Sequence, residues 1–254
     1  GCAKRSGGSG LHAQASGVCE GMIEIMKSDV GYSFEPAELV NDVRRLYGEQ
    51  QSLDVKEAIF STAERNLFAR FHFHESRKIL NGGQTEVDID EAAMLLSSEG
   101  DEKRLIAKAH VIACIANIHA TQDHLAYSIC KALNLQSVDP SKRTERLVNF
   151  HNVYEWLVSG ATKKLLGKLK KSQDLRYISF LNNRAKHRSL FDVKRTVSFE
   201  QSKHGLKTVE VDGYRSRWID ELLSAAVRIQ VETLRELWPV LATEVRACVV
   251  GEAR

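Results

Sequence analysis

Proline is scarce in this chain, with 3 in 254 residues against about 5% in ordinary chains. Long uninterrupted helices are therefore expected. The 5 cysteines (Cys2, Cys19, Cys114, Cys130, Cys248) are odd in number, contain no CxxC and fit no zinc spacing. That excludes a disulfide scaffold and suits the reduced thiols of a cytoplasmic protein. No apolar run approaches the ~18 residues of a membrane span; the longest, from Val111 to Ile118, already contains Asn117. There is no phosphate-binding Gly-rich loop, no GxGxxG and no GxSxG. Kinase, dehydrogenase and serine-hydrolase readings have nothing to rest on. A helical metalloenzyme is suggested by 9 histidines, including His72 with His74 and His119 with Asp123, but Glu-x-x-His is missing too. No metal and no cofactor are expected.

What is present fits a soluble globular protein: 43% apolar and 27% charged residues. Residues 1–11, rich in Gly and Ser, read as a flexible tail and not as a secretory signal, and 12–254 as a single helical domain. Periodicity and stop signals predict helices over 13–26, 36–48 (with Pro36 in its first turn), 54–80 (stopped by Asn81-Gly82-Gly83), 90–98, 101–133, 142–158, 162–171, 173–190 and 217–249. Asp139-Pro140 breaks the chain. Short alternating runs at 196–199 and 207–211, around Lys203-His204-Gly205, predict a β-hairpin. The expected fold is all-α in class, or mostly α: an up-and-down bundle of long helices with one small hairpin before the last helix.

Charge is unevenly placed. Residues 163–195 hold 11 basic and 2 acidic side chains, a local +9 in a chain whose total is +3. Such a concentration favours polyanions by steering and counterion release, unless it is a solvated helix face pairing with acidic neighbours. On the helix over 173–190, Leu175, Ile178, Leu181, Asn182 and Ala185 form the inward stripe. Arg176, Phe180, Asn183 and His187 form a second stripe on one flank. Arg176 stands ~16 Å from His187 along the axis, so the two cannot serve one atom. Arg184, Lys186 and Arg188 surround the histidine, and flanking cations favour the neutral imidazole that a general base requires.

The helix over 101–133 carries His119 and Asp123 one turn apart, on a face shared with Leu105, Ile112, Ala116 and Cys130 and widened by Val111, Ile115, Leu125 and Ile129. A carboxylate on such a face needs a partner. His119, Lys186 and His187 are the candidates, and Asp123 either orients a catalytic histidine or belongs to a structural pair.

The run from His119 through Asp123 to Tyr127, the later Asn183-Arg-Ala-Lys186-His187-Arg188, the hairpin and the closing helix together resemble bacterial members of the HEPN superfamily, in the subgroup with an Asn-x-x-Lys-His-Arg type motif. The likeness covers about residues 100–245. It implies a helical bundle, a homodimer, and binding of RNA or a nucleotide. It also implies a metal-independent endoribonuclease of a toxin–antitoxin or antiphage system, or a non-catalytic binding module. In the nuclease reading His187 accepts the proton of the RNA 2′-hydroxyl, Lys186 and Arg188 stabilise the phosphorane, Asn183 holds the ring or a phosphate oxygen, and Asp123 with His119 completes the catalytic set. Arg176, Arg184, Arg188, Lys194 and Arg195 supply anion contacts. The superfamily's ribonuclease motif is an Arg and a His with four to six residues between them, and no Arg stands at that distance before His187. The spacing does occur at Arg65/His72, Arg104/His110 and Arg146/His151, and in the tail at Arg5/His12. Only Arg65 and His72 align on their helix, opposite a face of Phe60, Ala63, Leu67, Phe71 and His74, which predicts an outward-facing pair suited to a dimer interface. The rival reading is a helical interaction or scaffold protein without catalysis.

Overall fold

The computed structural model describes residues 36–81, 98–140, 143–188, 191–198, 203–210 and 213–252. The tail, the helix expected over 13–26 and all but the last residue of the one expected over 90–98 lie outside the described residues. The described residues cluster as one unit.

Pro36 opens α1 (Pro36–Tyr47), in the first turn, where its missing N–H costs nothing. Gly48 follows with φ +90°, a left-handed conformation that glycine takes without strain. The chain turns there and restarts at once as α2 (Glu49–Asn81), five residues earlier than periodicity alone predicts. The next long helix, α3 (Ser98–Ala132), gives way to left-handed Asn134 and the short α4 (Leu135–Val138), and Asp139 then ends the helical run. The single helix expected over 142–158 is divided into a 3-10 turn (Glu145–Leu147) and α5 (Phe150–Trp156). The break falls at Asn149, whose side chain accepts from the Asn152 N–H at 3.0 Å and caps α5.

Ser172 alone separates α6 (Ala161–Lys171) from α7 (Gln173–His187) and caps the latter. The hairpin is present but displaced: β1 (Val193–Ser198) pairs antiparallel with β2 (Lys203–Thr208). Lys203, His204 and Gly205 thus belong to a strand and not to the turn. Gly205 has φ +151°, so it is the backbone conformation that favours glycine there; a Cβ would meet the Trp218 ring only at an ordinary 3.9 Å. The final helix, α8 (Ile219–Glu252), runs through exposed Pro239. The fold is a mostly α helical bundle with, among the described residues, one two-stranded sheet. None of its described helices is long and apolar enough to cross a membrane.

The frame of the bundle is the antiparallel hairpin of α2 and α3. Gln51 reaches the Lys131 carbonyl, Arg65 reaches Asn117, and His72 meets His110; the contacts descend one helix as they climb the other. Its seam has alternating steps of four and three residues on both sides. Val55, Ile59, Thr62, Asn66, Ala69, Phe73 and Ser76 are buried on α2, and Ala107, Val111, Cys114, Ile118, Thr121, Leu125, Ser128 and Ala132 on α3. This is the ~3.5-residue period of knobs-into-holes packing. Small side chains at Ala69, Ser76, Ala107 and Ala132 let the helices approach closely. Across this frame α8 packs on α1, α2, α3, α6, α7 and β2, burying Leu222, Leu223, Ala226, Leu237 and Leu241.

Two face assignments are corrected. On α2, Phe60 and Phe71 are 39% and 53% exposed, whereas Arg65 and His72 face α3. Much of the apolar stripe read from the wheel is therefore outward, while the polar pair borders the α3 seam, with exposed Arg65 donating to Asn117 and half-buried His72 meeting His110. Phenylalanine occurs on several faces of α2, so hydrophobicity alone does not orient it, and the seam that faces α3 mixes Val55, Ile59 and Phe73 with small and polar residues. On α3, Leu105 is 68% exposed although it shares the face of Cys130.

Candidate functional site

An open groove of about 450 Å³ lies where α2 and α3 meet α7. From α2 come Asp54, Glu57 and Ser61; from α3 His119, Asp123, His124 and Tyr127; from the loop before α5 Val148; and from α7 Lys186. The i, i+4 spacing of His119 and Asp123 puts both on one face of α3, with His119 Nε2 3.8 Å from Asp123 Oδ2. The other ring nitrogen, Nδ1, shares a hydrogen bond with the Ser179 hydroxyl of α7 at 3.2 Å. The hydroxyl thus anchors one side of the imidazole, and Asp123 faces the other across a gap too long for a hydrogen bond. Asp123 Oδ1 also accepts from the Phe150 backbone N–H at 3.3 Å, tying α5 to the groove.

The electrostatics are mixed. Burial holds the His119 ring below the ordinary histidine range; Asp123 pulls the other way, and nearby Lys186 adds to the depression. His124 is likewise lowered, by burial first and then by Arg65, against the opposing pull of Asp123 and Glu64. Tyr127 is pushed well up, by burial and by the Glu145 carboxylate that accepts its hydroxyl proton at 2.7 Å. Asp54 pairs with Lys131 at 3.4 Å. The groove lining thus holds one lysine, three carboxylates (Asp54, already paired with Lys131, Glu57 and Asp123) and two histidines biased toward the neutral form. Such a set can exchange protons and hold a polar ligand. Among the described residues no group of three or more His, Cys, Asp or Glu is arranged to hold a metal ion.

Of the expected catalytic residues, the structure brings His119, Asp123 and Lys186 together. His187 is exposed in the last turn of α7 and does not line the groove, and Asn183, one turn before it, is also exposed. The expected anion contacts Arg176, Arg188 and Lys194 are exposed and Arg184 is half-buried, while Arg195 stands opposite Leu206 in the hairpin. Two of the eleven basic side chains of this segment pair with carboxylates, Lys168 with Glu236 at 2.6 Å and Lys170 with Glu155, and Lys163 donates to the Leu157 carbonyl at 2.6 Å. Beside Arg176 on the outer flank of α7, Tyr214 stacks on Tyr177 and Phe180 with centroids 4.5 and 4.8 Å apart.

Asp54, Glu57, Ser61, His124, Tyr127 and Ser179 were missed in the sequence. His124 adjoins Asp123 and could have been included by proximity. The α2 residues had no signal, because only the α2–α3 register carries them to His119. The comparisons add no relative: no family model, no curated protein and no solved structure matches the chain.

Proposed function

We propose that the protein is a HEPN-like RNA- or nucleotide-binding protein, and that the groove at His119 is where an RNA strand is held and cut without a metal. The observation that carries this reading is a neutral-biased imidazole anchored by Ser179 and facing Asp123 in an open groove, with Lys186 on its wall. His119 Nε2 accepts the 2′-hydroxyl proton, the 2′-oxygen attacks phosphorus, and Lys186 offsets the charge on the phosphorane. Asp123 stabilises the imidazolium that results. Asn183, His187, Arg176 and the Phe180–Tyr214 stack then form the outer approach, where cations meet phosphates and rings meet bases. A homodimer accompanies the reading, and exposed Phe60, Phe68 and Phe71 support a second copy as partner.

The three carboxylates of the groove favour a second reading, a non-catalytic binding module that keeps phosphates on the outer flank of α7. One experiment separates the two. Labelled single-stranded RNA is incubated in EDTA with wild type, His119→Ala, Lys186→Ala and His187→Ala. Cleavage lost in the first two variants supports the nuclease. Salt-dependent binding without products supports the module, and no binding by wild type sinks both.

A further inference from the structure

The α2 wall of the groove is one that a phosphate does not explain. Of the three carboxylates two are engaged. Asp54 accepts from Gln50 at 3.0 Å and faces Lys131 at 3.4 Å, and Asp123 accepts from the Phe150 N–H and faces His119. Glu57 is the one with no hydrogen-bond or ion-pair partner among the described residues, and the Ser61 hydroxyl has none there either. The two are four apart on α2, so they share one face about 6 Å apart along the axis, and both line the groove. Ala58 on the same wall is small, which leaves room for a flat ring. Tyr127 lines the groove from α3, anchored through its hydroxyl to Glu145 at 2.7 Å, and so offers a fixed aromatic surface for an unpaired base.

A carboxylate with both oxygens open accepts from two donors side by side. Among the four RNA bases only guanine carries two adjacent donors on its Watson–Crick edge, N1–H and N2–H, with the O6 acceptor next to them. Adenine, cytosine and uracil place an acceptor lone pair beside their donor, and a carboxylate repels it. We propose that Glu57 and Ser61 read a guanine base, Glu57 accepting from N1–H and N2–H and the Ser61 hydroxyl donating to O6, so that the groove takes single-stranded RNA at a guanosine. The inference rests on the reading of the groove as an RNA site, with the phosphate at His119 and Lys186 on the α3 and α7 walls and the base on α2. An open carboxylate is unfavourable beside a phosphate and favourable beside N–H donors, so the charges of the two walls orient the nucleotide. The groove volume of about 450 Å³ falls in the range of about 300–1,000 Å³ that holds one small ligand.

The test uses the full chain in EDTA and short oligouridine strands with one central guanosine, inosine, adenosine or cytidine. Inosine keeps N1–H and O6 but lacks the 2-amino group. Binding is read by fluorescence anisotropy and any product ends by gel. The expected result is that wild type binds the guanosine strand about tenfold more tightly than the inosine strand, the order of one hydrogen bond to a charged group, and that any cut falls at the guanosine. Glu57→Gln removes the guanosine-over-inosine preference. Ser61→Ala weakens both strands severalfold and keeps their ratio, because both carry O6. Equal binding of all four strands by wild type overturns the proposal and leaves the RNA reading standing, whereas no binding of any strand overturns both. A guanosine preference that survives in Glu57→Gln also overturns the proposal. The inosine comparison changes the ligand and not the protein, so it decides the matter even where a variant fails to fold.

Discussion

The Nε2 of His119 stands 3.8 Å from the Asp123 carboxylate one turn along α3. That gap keeps the two in electrostatic contact without a direct hydrogen bond. A proton arriving at Nε2 would find a carboxylate already positioned to stabilise it, while Ser179 keeps the ring from turning.

Stability should fall on the acid side. Burial lowers His72, His119 and His124 in the folded chain, so between their folded values and the unfolded histidine value of about 6.5 the unfolded chain binds more protons. The stability they contribute is present above that value and is lost as pH falls through it toward the folded values. Urea midpoints measured from pH 7.5 to 5 should decline through this window, less steeply in His119→Gln.

Phosphate contacts should follow availability and not sequence charge. Arg176→Ala and Lys186→Ala should weaken binding to single-stranded RNA, each lowering the salt slope by about 0.7 per lost contact. Lys168→Ala and Lys170→Ala should leave that slope nearly unchanged, because Glu236 and Glu155 already hold those lysines. Fluorescence titrations at several salt concentrations measure it.

The start of α6 is capped from far away. Gly160 offers no side-chain cap, and Glu244 Oε1 accepts from the Ala161 and Thr162 N–H groups at 3.0 and 3.1 Å. Glu244→Ala should cost about 0.5–2 kcal/mol, the range for a lost N-cap, seen as a lower urea midpoint at constant m. Glu244→Gln, which keeps an acceptor oxygen, should cost less.

Asn66 occupies a seam position at 7% exposure, and its Nδ2 has no hydrogen-bond partner among the described residues. Asn66→Leu should raise the urea midpoint by about 1 kcal/mol equivalent, because it removes a buried orphan donor and adds apolar packing. A loss of stability would show that the amide has a role.

Among the described thiols, reactivity should be selective. Burial pushes Cys114 up to about 12 and Cys130 up to about 11, whereas Cys248 is exposed. Iodoacetamide at pH 8 should modify Cys248 and reach Cys114 and Cys130 only on unfolding. Peptide mass mapping checks this.

The chain's own sequence determined the mostly helical class and several of the helix ends among the described residues, and it did so locally. Pro36 starts one helix, Gly48 and Asn134 supply left-handed turns, Asp139-Pro140 breaks the run, and a stripe of Leu175, Ile178 and Leu181 buries one side of α7. Each of these rests on neighbours within a few residues, through backbone sterics and helical periodicity. The tertiary structure alone decided which face of α2 turns inward, because its apolar residues occur on several sides and the buried seam mixes large apolar residues with small and polar ones. It alone brought Lys186 beside His119, His72 against His110, and Glu244 to the start of α6. Those pairs are separated by tens of residues, and only the packing of whole helices fixes the register that joins them.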